Sequence, residues 1–142
     1  MNKKSEIKYQ GKMFEIVEFS PKEGVVFETA VRAPGVRLLI EYEKDGVTGI
    51  LMTRELRHGR EGSDWDYRLP GGKVFDSLEE FNDARNKNID INESALKAAR
   101  LEAKQEVGID NGNFMPISIA KAGGSVEWDL HYFLVKDAKI SE

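Results

Sequence analysis

The sequence contains no cysteine, has only two histidines in 142 residues, and has no apolar run approaching the roughly 20 residues of a membrane-spanning helix. Without cysteine, disulfides and thiolate-bound zinc are excluded. The polar segment 1–6 also lacks the apolar stretch of a secretory signal peptide. We therefore expect a cytoplasmic protein that has no membrane partner.

Excess positive charge is also absent, because 25 acidic residues outweigh 21 basic ones and give a net charge of -4. This balance argues against a broad nucleic-acid-binding surface, which is usually basic. A small anionic ligand remains compatible with it, through a local arginine cluster or a divalent cation. The length and the 40% apolar fraction predict a single globular domain over 1–142.

Segments rich in β-branched and aromatic residues dominate the first half of the chain and its end. The predicted strands span 8–19, 25–32, 36–42, 47–53, 67–69, 114–120 and 128–135. The polar stretch 57–66 is predicted as a loop. Helical patterns separate the last two strands from the others, so the order indicates a mixed α/β fold.

Two helices are predicted between these strands. The first begins after Ser77 as N-cap, with Glu80 three residues later as in a capping box, and ends near residue 87. The second spans about 93–107, with Asn92 as its expected N-cap and Gly108 beyond its end. Its apolar stripe at helical spacing consists of Leu96, Ala99, Ala103 and Val107.

A pair of carboxylates lies on the other face of the second helix. Glu102 and Glu106 are four residues apart, so their side chains are neighbours, with Gln105 beside them. Two like charges at this spacing repel each other, and a divalent cation with oxygen ligands would relieve the repulsion. The alternative is a solvated acidic face, which is the better interpretation of an isolated pair.

The context of this pair resembles the signature of the Nudix hydrolase family. That signature runs glycine, five residues, glutamate, seven residues, then Arg-Glu, an apolar residue, any residue, Glu-Glu, any residue, glycine and an apolar residue. The matching positions are Gly72, Glu93, Glu102, Ala103, Glu106, Gly108 and Ile109. The resemblance implies an α/β/α sandwich with a mixed β-sheet, in which 93–107 is the Nudix helix.

The chain departs from the family pattern in three ways. Twenty residues separate Gly72 from Glu93, so 77–92 is a helical insertion that forms a lid, a substrate-side wall or a surface excursion. Leu101 replaces an arginine that usually holds the first glutamate. Gln105 replaces a third carboxylate, which predicts fewer or more weakly bound cations.

The resemblance also implies a metal site and a catalytic base. Glu102 and Glu106 would bind Mg²⁺ or Mn²⁺ together with the backbone carbonyl of Gly71. Glu127 follows the glycines 123–124 at the place where a subgroup of the family has a mobile loop with a catalytic glutamate. The alternative is that Glu127 is an ordinary charged residue at the start of a strand.

That subgroup comprises the ADP-ribose and nucleotide-sugar pyrophosphatases, which the segments 27–35 and 51–57 resemble. By this resemblance Arg57, and less surely Arg54, would bind substrate phosphates. A surface ion pair is the equal alternative for Arg54. The aromatic residues Trp65, Tyr67 and Trp128 could stack on a base, but packing is the commoner role of such residues.

Together these features predict a metal-dependent hydrolase that cleaves the pyrophosphate bond of a nucleoside diphosphate derivative, such as ADP-ribose or a nucleotide sugar. The alternatives are a catalytically weakened Nudix-like nucleotide-binding module, and a hydrolase of nucleoside triphosphates or dinucleoside polyphosphates. A plain interaction module would not explain the spacing from Gly71 to Ile109. The strands within 1–35 are expected to form a homodimer interface.

Overall fold

A computed structural model describes residues 4–140. The segments rich in β-branched residues form strands, and these strands are arranged in three sheets. The strands that precede the helices are β1 (Lys4–Gln10), β2 (Phe14–Lys22), β3 (Val25–Arg32), β4 (Gly35–Lys44), β5 (Val47–Ile50), β6 (Thr53–Gly59), β7 (Gly62–Arg68) and β8 (Gly71–Lys73). They are followed by α1 (Leu78–Asn86), α2 (Ile91–Val107), β9 (Asn113–Lys121), β10 (Val126–Glu127) and β11 (Asp129–Lys136).

The N-terminal sheet has the order β1-β2-β3-β10. Its first three strands are antiparallel, and β10 joins β3 in parallel through Ala30 and Val31. This pairing holds Glu127 next to the end of β3. The predicted dimer interface falls on these strands, except that residues 1–3 lie outside the described part, and it stays a prediction.

The hydrophobic core lies between the second sheet and α2. Strand β4 is central in the order β5-β4-β11-β9, with β8 also paired to β4. Val36, Leu38 and Ile40 alternate along β4 and are fully buried, because successive side chains point to opposite faces of a strand. The small residues Ala99 and Ala103 let α2 pack closely against them.

The helices agree closely with their predicted spans, and one predicted cap is wrong. Ser77 caps α1 by accepting a hydrogen bond from the Glu80 N–H, as expected. The N-cap of α2 is Asp90 rather than Asn92, because the Asp90 carboxylate accepts from two free N–H groups of the first turn. Gly108 ends α2 with a left-handed φ of 69°, which glycine adopts without a steric penalty.

The predicted loop over 57–66 is wrong, because this segment belongs to the hairpin β6–β7. Strand 47–53 is likewise two strands, since β5 ends at Ile50 and β6 starts at Thr53. The sequence signal was weak because most side chains of the hairpin are exposed, and no apolar alternation arises without a buried face.

The architecture is mixed α/β, as predicted, with several mixed sheets and two helices in the described part. The finer prediction of an α/β/α sandwich stays a prediction. No helix within residues 4–140 is long and apolar enough to cross a membrane.

The cap assignment can be tested by stability. Asp90→Ala removes the side chain that accepts from the first turn of α2, so the free energy of unfolding should fall by about 1 kcal/mol in urea titrations. Asn92→Ala, two residues along the chain, should change it by less than about 0.5 kcal/mol. The reverse order of the two effects would show that Asn92 is the cap.

Candidate functional site

A cavity of about 200 Å³ lies where β8, the end of β3, the start of β4, the β6–β7 hairpin and α2 meet. Its lining is strongly charged. The basic residues in the lining are Arg32, Arg37, Arg57, Arg68 and Lys73, and the acidic ones are Glu55 and Glu106. Such a concentration of cations in a protein of net charge -4 indicates a local anion site.

The two carboxylates of α2 lie beside this cavity as the helical spacing predicts. Burial raises the pKa of Glu102, and the neighbouring Glu106 raises it further. Burial also raises the pKa of Glu106, while a hydrogen bond from the Gly71 N–H, at 3.1 Å from Oε2, opposes that rise. Both carboxylates are therefore destabilised in their charged forms.

The glycines at 71 and 72 allow the backbone to approach these groups. A Cβ at Gly72 would overlap the carboxylate of Glu102, and one at Gly71 would overlap the carbonyl oxygen of Val36. Any larger residue would push β8 away from either α2 or β4. The Pro-Gly-Gly sequence is thus a packing requirement of the site.

Arg32 and Arg37 are partly buried cations without a carboxylate partner. Burial lowers the pKa of each guanidinium, although arginine keeps its charge. In the described part of the chain no carboxylate oxygen lies within 4.0 Å of either. Arg32 instead stacks on Phe14 and Trp128, at 5.2 and 4.4 Å from the ring centroids. Partly buried charges of this kind call for an anionic ligand.

Arg57 and Arg54 have different surroundings. Arg57 lines the cavity, and its Nη1 atom lies 3.3 Å from Oε2 of Glu55. Arg54 does not line it, because its guanidinium lies over the ring of Trp65 at 4.3 Å. A role for Arg54 in phosphate binding therefore has no support from the cavity, and the suggested ion pair is replaced by a cation–π contact.

Glu127 lines a second cavity, of about 410 Å³, next to the first. The two cavities share Arg32, Pro34 and Trp128. The indole Nε1 of Trp128 is buried and has no acceptor among the described residues. Glu127 therefore lines a different cavity from Glu106, next to the residues that the two cavities share, and its role as a base stays a prediction.

The donor set limits the kind of metal site. No group of three or more His, Asp or Glu side chains within residues 4–140 is arranged to hold a metal ion. Glu102 and Glu106 provide two carboxylates, and Gln105 is exposed beside them. This set fits Mg²⁺, which commonly binds one or two carboxylates and takes its other ligands from water and substrate phosphates.

Several cavity residues were missed in the sequence. Arg37 could have been identified from the sequence, because arginine is rarely buried without a partner and the strand 36–42 is mostly apolar. Arg32, Arg68 and Lys73 could not, since their convergence depends on how β3, β7 and β8 meet.

Comparisons with known proteins support the fold. No family model and no curated protein sequence matches the chain. A solved structure described as "Crystal structure of ADP compounds hydrolase" is similar over 98% of this chain and 68% of its own, with 17% identity and a TM-score of 0.59. The chain therefore shares the mixed α/β fold of that structure.

The repulsion at Glu102 predicts a pH-dependent gain in stability when its charge is removed. A carboxylate whose pKa is raised by folding destabilises the protein above that pKa, and the penalty disappears as the pH falls toward the unfolded value. In EDTA at pH 7, Glu102→Gln should raise Tm by about 2–4 °C. The gain should vanish near pH 4.

Glu43→Gln is a suitable control, because Glu43 is exposed at the far end of β4. It removes an equal charge away from the cavity and should leave Tm within about 1 °C. A lower Tm for Glu102→Gln at pH 7 would show that Glu102 is stabilised in its charged form by its surroundings.

Proposed function

We propose that the chain is a metal-dependent hydrolase that cleaves the pyrophosphate bond of a nucleoside diphosphate derivative, such as ADP-ribose or a nucleotide sugar. The observation that carries the proposal is the presence of two opposite, unsatisfied charge sets at one cavity. Arg32 and Arg37 have no carboxylate partner within 4.0 Å in the described part of the chain, and the neighbouring carboxylates of Glu102 and Glu106 are disfavoured in their charged forms. A diphosphate bound together with a divalent cation satisfies both sets.

The arginines would bind and orient the diphosphate. Guanidinium is planar and permanently charged, and it can form two parallel hydrogen bonds to phosphate oxygens. Arg32 and Arg37 are partly shielded from water, so their attraction for an anion is stronger than that of exposed cations. Their stacking and backbone contacts hold them in position before the substrate binds.

Glu102 and Glu106 would hold Mg²⁺ or Mn²⁺, with the Gly71 carbonyl proposed as a third ligand. When bound, the metal neutralises charge on the phosphate oxygens and orients water for attack on phosphorus. The Gly71 N–H already fixes one oxygen of Glu106, which keeps that carboxylate at the cavity. Gly72 lets Glu102 lie against the same loop.

Glu127 is proposed as the base that accepts a proton from the attacking water. It follows Gly124, whose φ is 69°, and neither Gly123 nor Gly124 has a heavy atom near its missing Cβ. A shift of this open loop that releases the two-residue pairing of β10 with β3 would let Glu127 move past Trp128 when substrate binds. The phosphorus–oxygen bond to the leaving phosphate breaks as the new bond to water forms.

A weakened nucleotide-binding module remains the second candidate. Gln105 adds no charge, so the site has fewer acidic groups than the family signature would provide, and the exposed Leu101 cannot hold Glu93 as the arginine of the signature would. Such a module would bind a nucleoside diphosphate derivative without turning it over. Retention of Glu102, Glu106 and Glu127 favours the hydrolase.

A hydrolysis panel tests the proposal directly. ADP-ribose, nucleotide sugars, dinucleoside polyphosphates and nucleoside triphosphates should be incubated with Mg²⁺ or Mn²⁺ and analysed for released nucleoside monophosphate. We expect metal-dependent cleavage of one diphosphate class, its loss in EDTA, and a decrease of roughly 100-fold or more in kcat for Glu106→Gln. Glu43→Gln should retain full activity.

Turnover of triphosphates or dinucleoside polyphosphates alone would reassign the substrate class. Binding of a diphosphate derivative without turnover would favour the nucleotide-binding module. Equal activity of wild type and Glu106→Gln with Mg²⁺ would contradict the metal-ligand assignment.

The base assignment makes a separate prediction. Glu127→Gln keeps the size of the side chain and removes its ability to take a proton, so kcat should fall by about 10²–10⁴-fold. The rates of the variant and of wild type should be measured across a range of pH. A variant profile that overlays the wild-type profile would show that Glu127 is not the base.

A further inference from the structure

The second cavity connects the helical insertion to the charged cavity. One of its walls is α1, which contributes Phe81 and Arg85. Arg32 and Trp128 line both this cavity and the charged cavity, so the two cavities are neighbours. Its volume of about 410 Å³ is within the range of ~300–1,000 Å³ that small-molecule sites occupy. A ligand anchored by its phosphates in the first cavity can therefore extend into the second.

The α1 wall contains an aromatic pair with a cation against it. The rings of Phe75 and Phe81 pack with their centroids 5.5 Å apart, and the guanidinium of Arg85 lies 4.5 Å from the Phe81 centroid. Nη2 of Arg85 also donates to Oδ1 of Asn82 at 2.7 Å. These contacts hold the guanidinium against Phe81, where Arg85 lines the cavity. Flat cations held in this way are good stacking surfaces for aromatic rings.

The other charges near this cavity leave Arg85 available. Lys121 is paired with Asp129, with its Nζ atom 3.0 Å from Oδ1. No carboxylate of residues 4–140 lies within 4.0 Å of the Arg85 guanidinium. Within residues 4–140, the Arg85 guanidinium is thus a positioned cation held by the ring of Phe81 and the amide of Asn82.

We infer that the cavity beside α1 holds the nucleobase of the substrate, stacked on Arg85 and supported from behind by Phe81. The inference rests on the proposed function, because the diphosphate in the first cavity places the rest of the ligand. It assigns the insertion a role as a substrate-side wall that determines specificity. Arg85 is a binding residue for the base and takes no part in the proton transfers.

The test compares a ligand that has a base with one that lacks it. Binding of ADP and of inorganic pyrophosphate should be measured by calorimetry in Mg²⁺, for wild type, Arg85→Ala, Arg85→Lys and Lys87→Ala. Arg85→Lys keeps the charge but loses the planar stacking surface. Lys87→Ala removes a cation from the end of the same helix, and Lys87 lines neither cavity.

We expect Arg85→Ala to weaken ADP binding by about tenfold while pyrophosphate binding changes by less than about twofold. Arg85→Lys should weaken ADP binding nearly as much, and Lys87→Ala should behave as wild type. Full ADP affinity in Arg85→Lys would overturn stacking in favour of a charge effect. Equal changes for both ligands, or no change in either, would also overturn the inference.

Pyrophosphate separates this inference from the proposed function. If wild type binds pyrophosphate and Arg37→Ala weakens that binding, the phosphate site is supported. The variants at Arg85 then test only the assignment of the base site. If wild type binds neither ligand in Mg²⁺, the proposed function fails and the base site fails with it.

Discussion

The whole site depends on the close approach of one short strand to its two neighbours. The backbone of β8 lies so near to β4 and α2 that a single methyl group at position 71 or 72 would have no space. This contact closes one side of the core and at the same time presents the Gly71 N–H to Glu106. Packing and ligand geometry therefore share one constraint, and a substitution there would disturb both.

Electrostatic strain is the second organising feature. Partly buried arginines and adjacent carboxylates are both held where their charges are poorly satisfied by the protein itself. The apolar core of Val36, Leu38 and Ile40 against the alanines of α2 supplies stability that offsets this cost. The stability of the core thus permits a charged site that is itself unfavourable in the absence of ligand. Proteins that bind charged molecules commonly combine a stable core with a destabilising site in this way.

The sequence carried the information for elements with a strong periodicity or a clear cap. The span of α2, the capping of α1 by Ser77 and the placement of Glu102 beside Glu106 follow from local spacing. The hairpin β6–β7 could not be found, because its side chains are exposed on both faces. Apart from Arg57, the cluster of cations around the first cavity was not predicted, since its four arginines and Lys73 come from five separate elements that only the fold brings together.

The hairpin has a consequence for motion. It is a two-stranded ribbon that pairs with no third strand in the described part of the chain, and such ribbons have little stability of their own. Yet it carries Glu55 and Arg57, which form one wall of the charged cavity. Amide hydrogen exchange in this ribbon should be governed by local opening rather than by global unfolding. The free energy needed to open the hairpin, and with it one wall of the cavity, is therefore smaller than the free energy of unfolding the core.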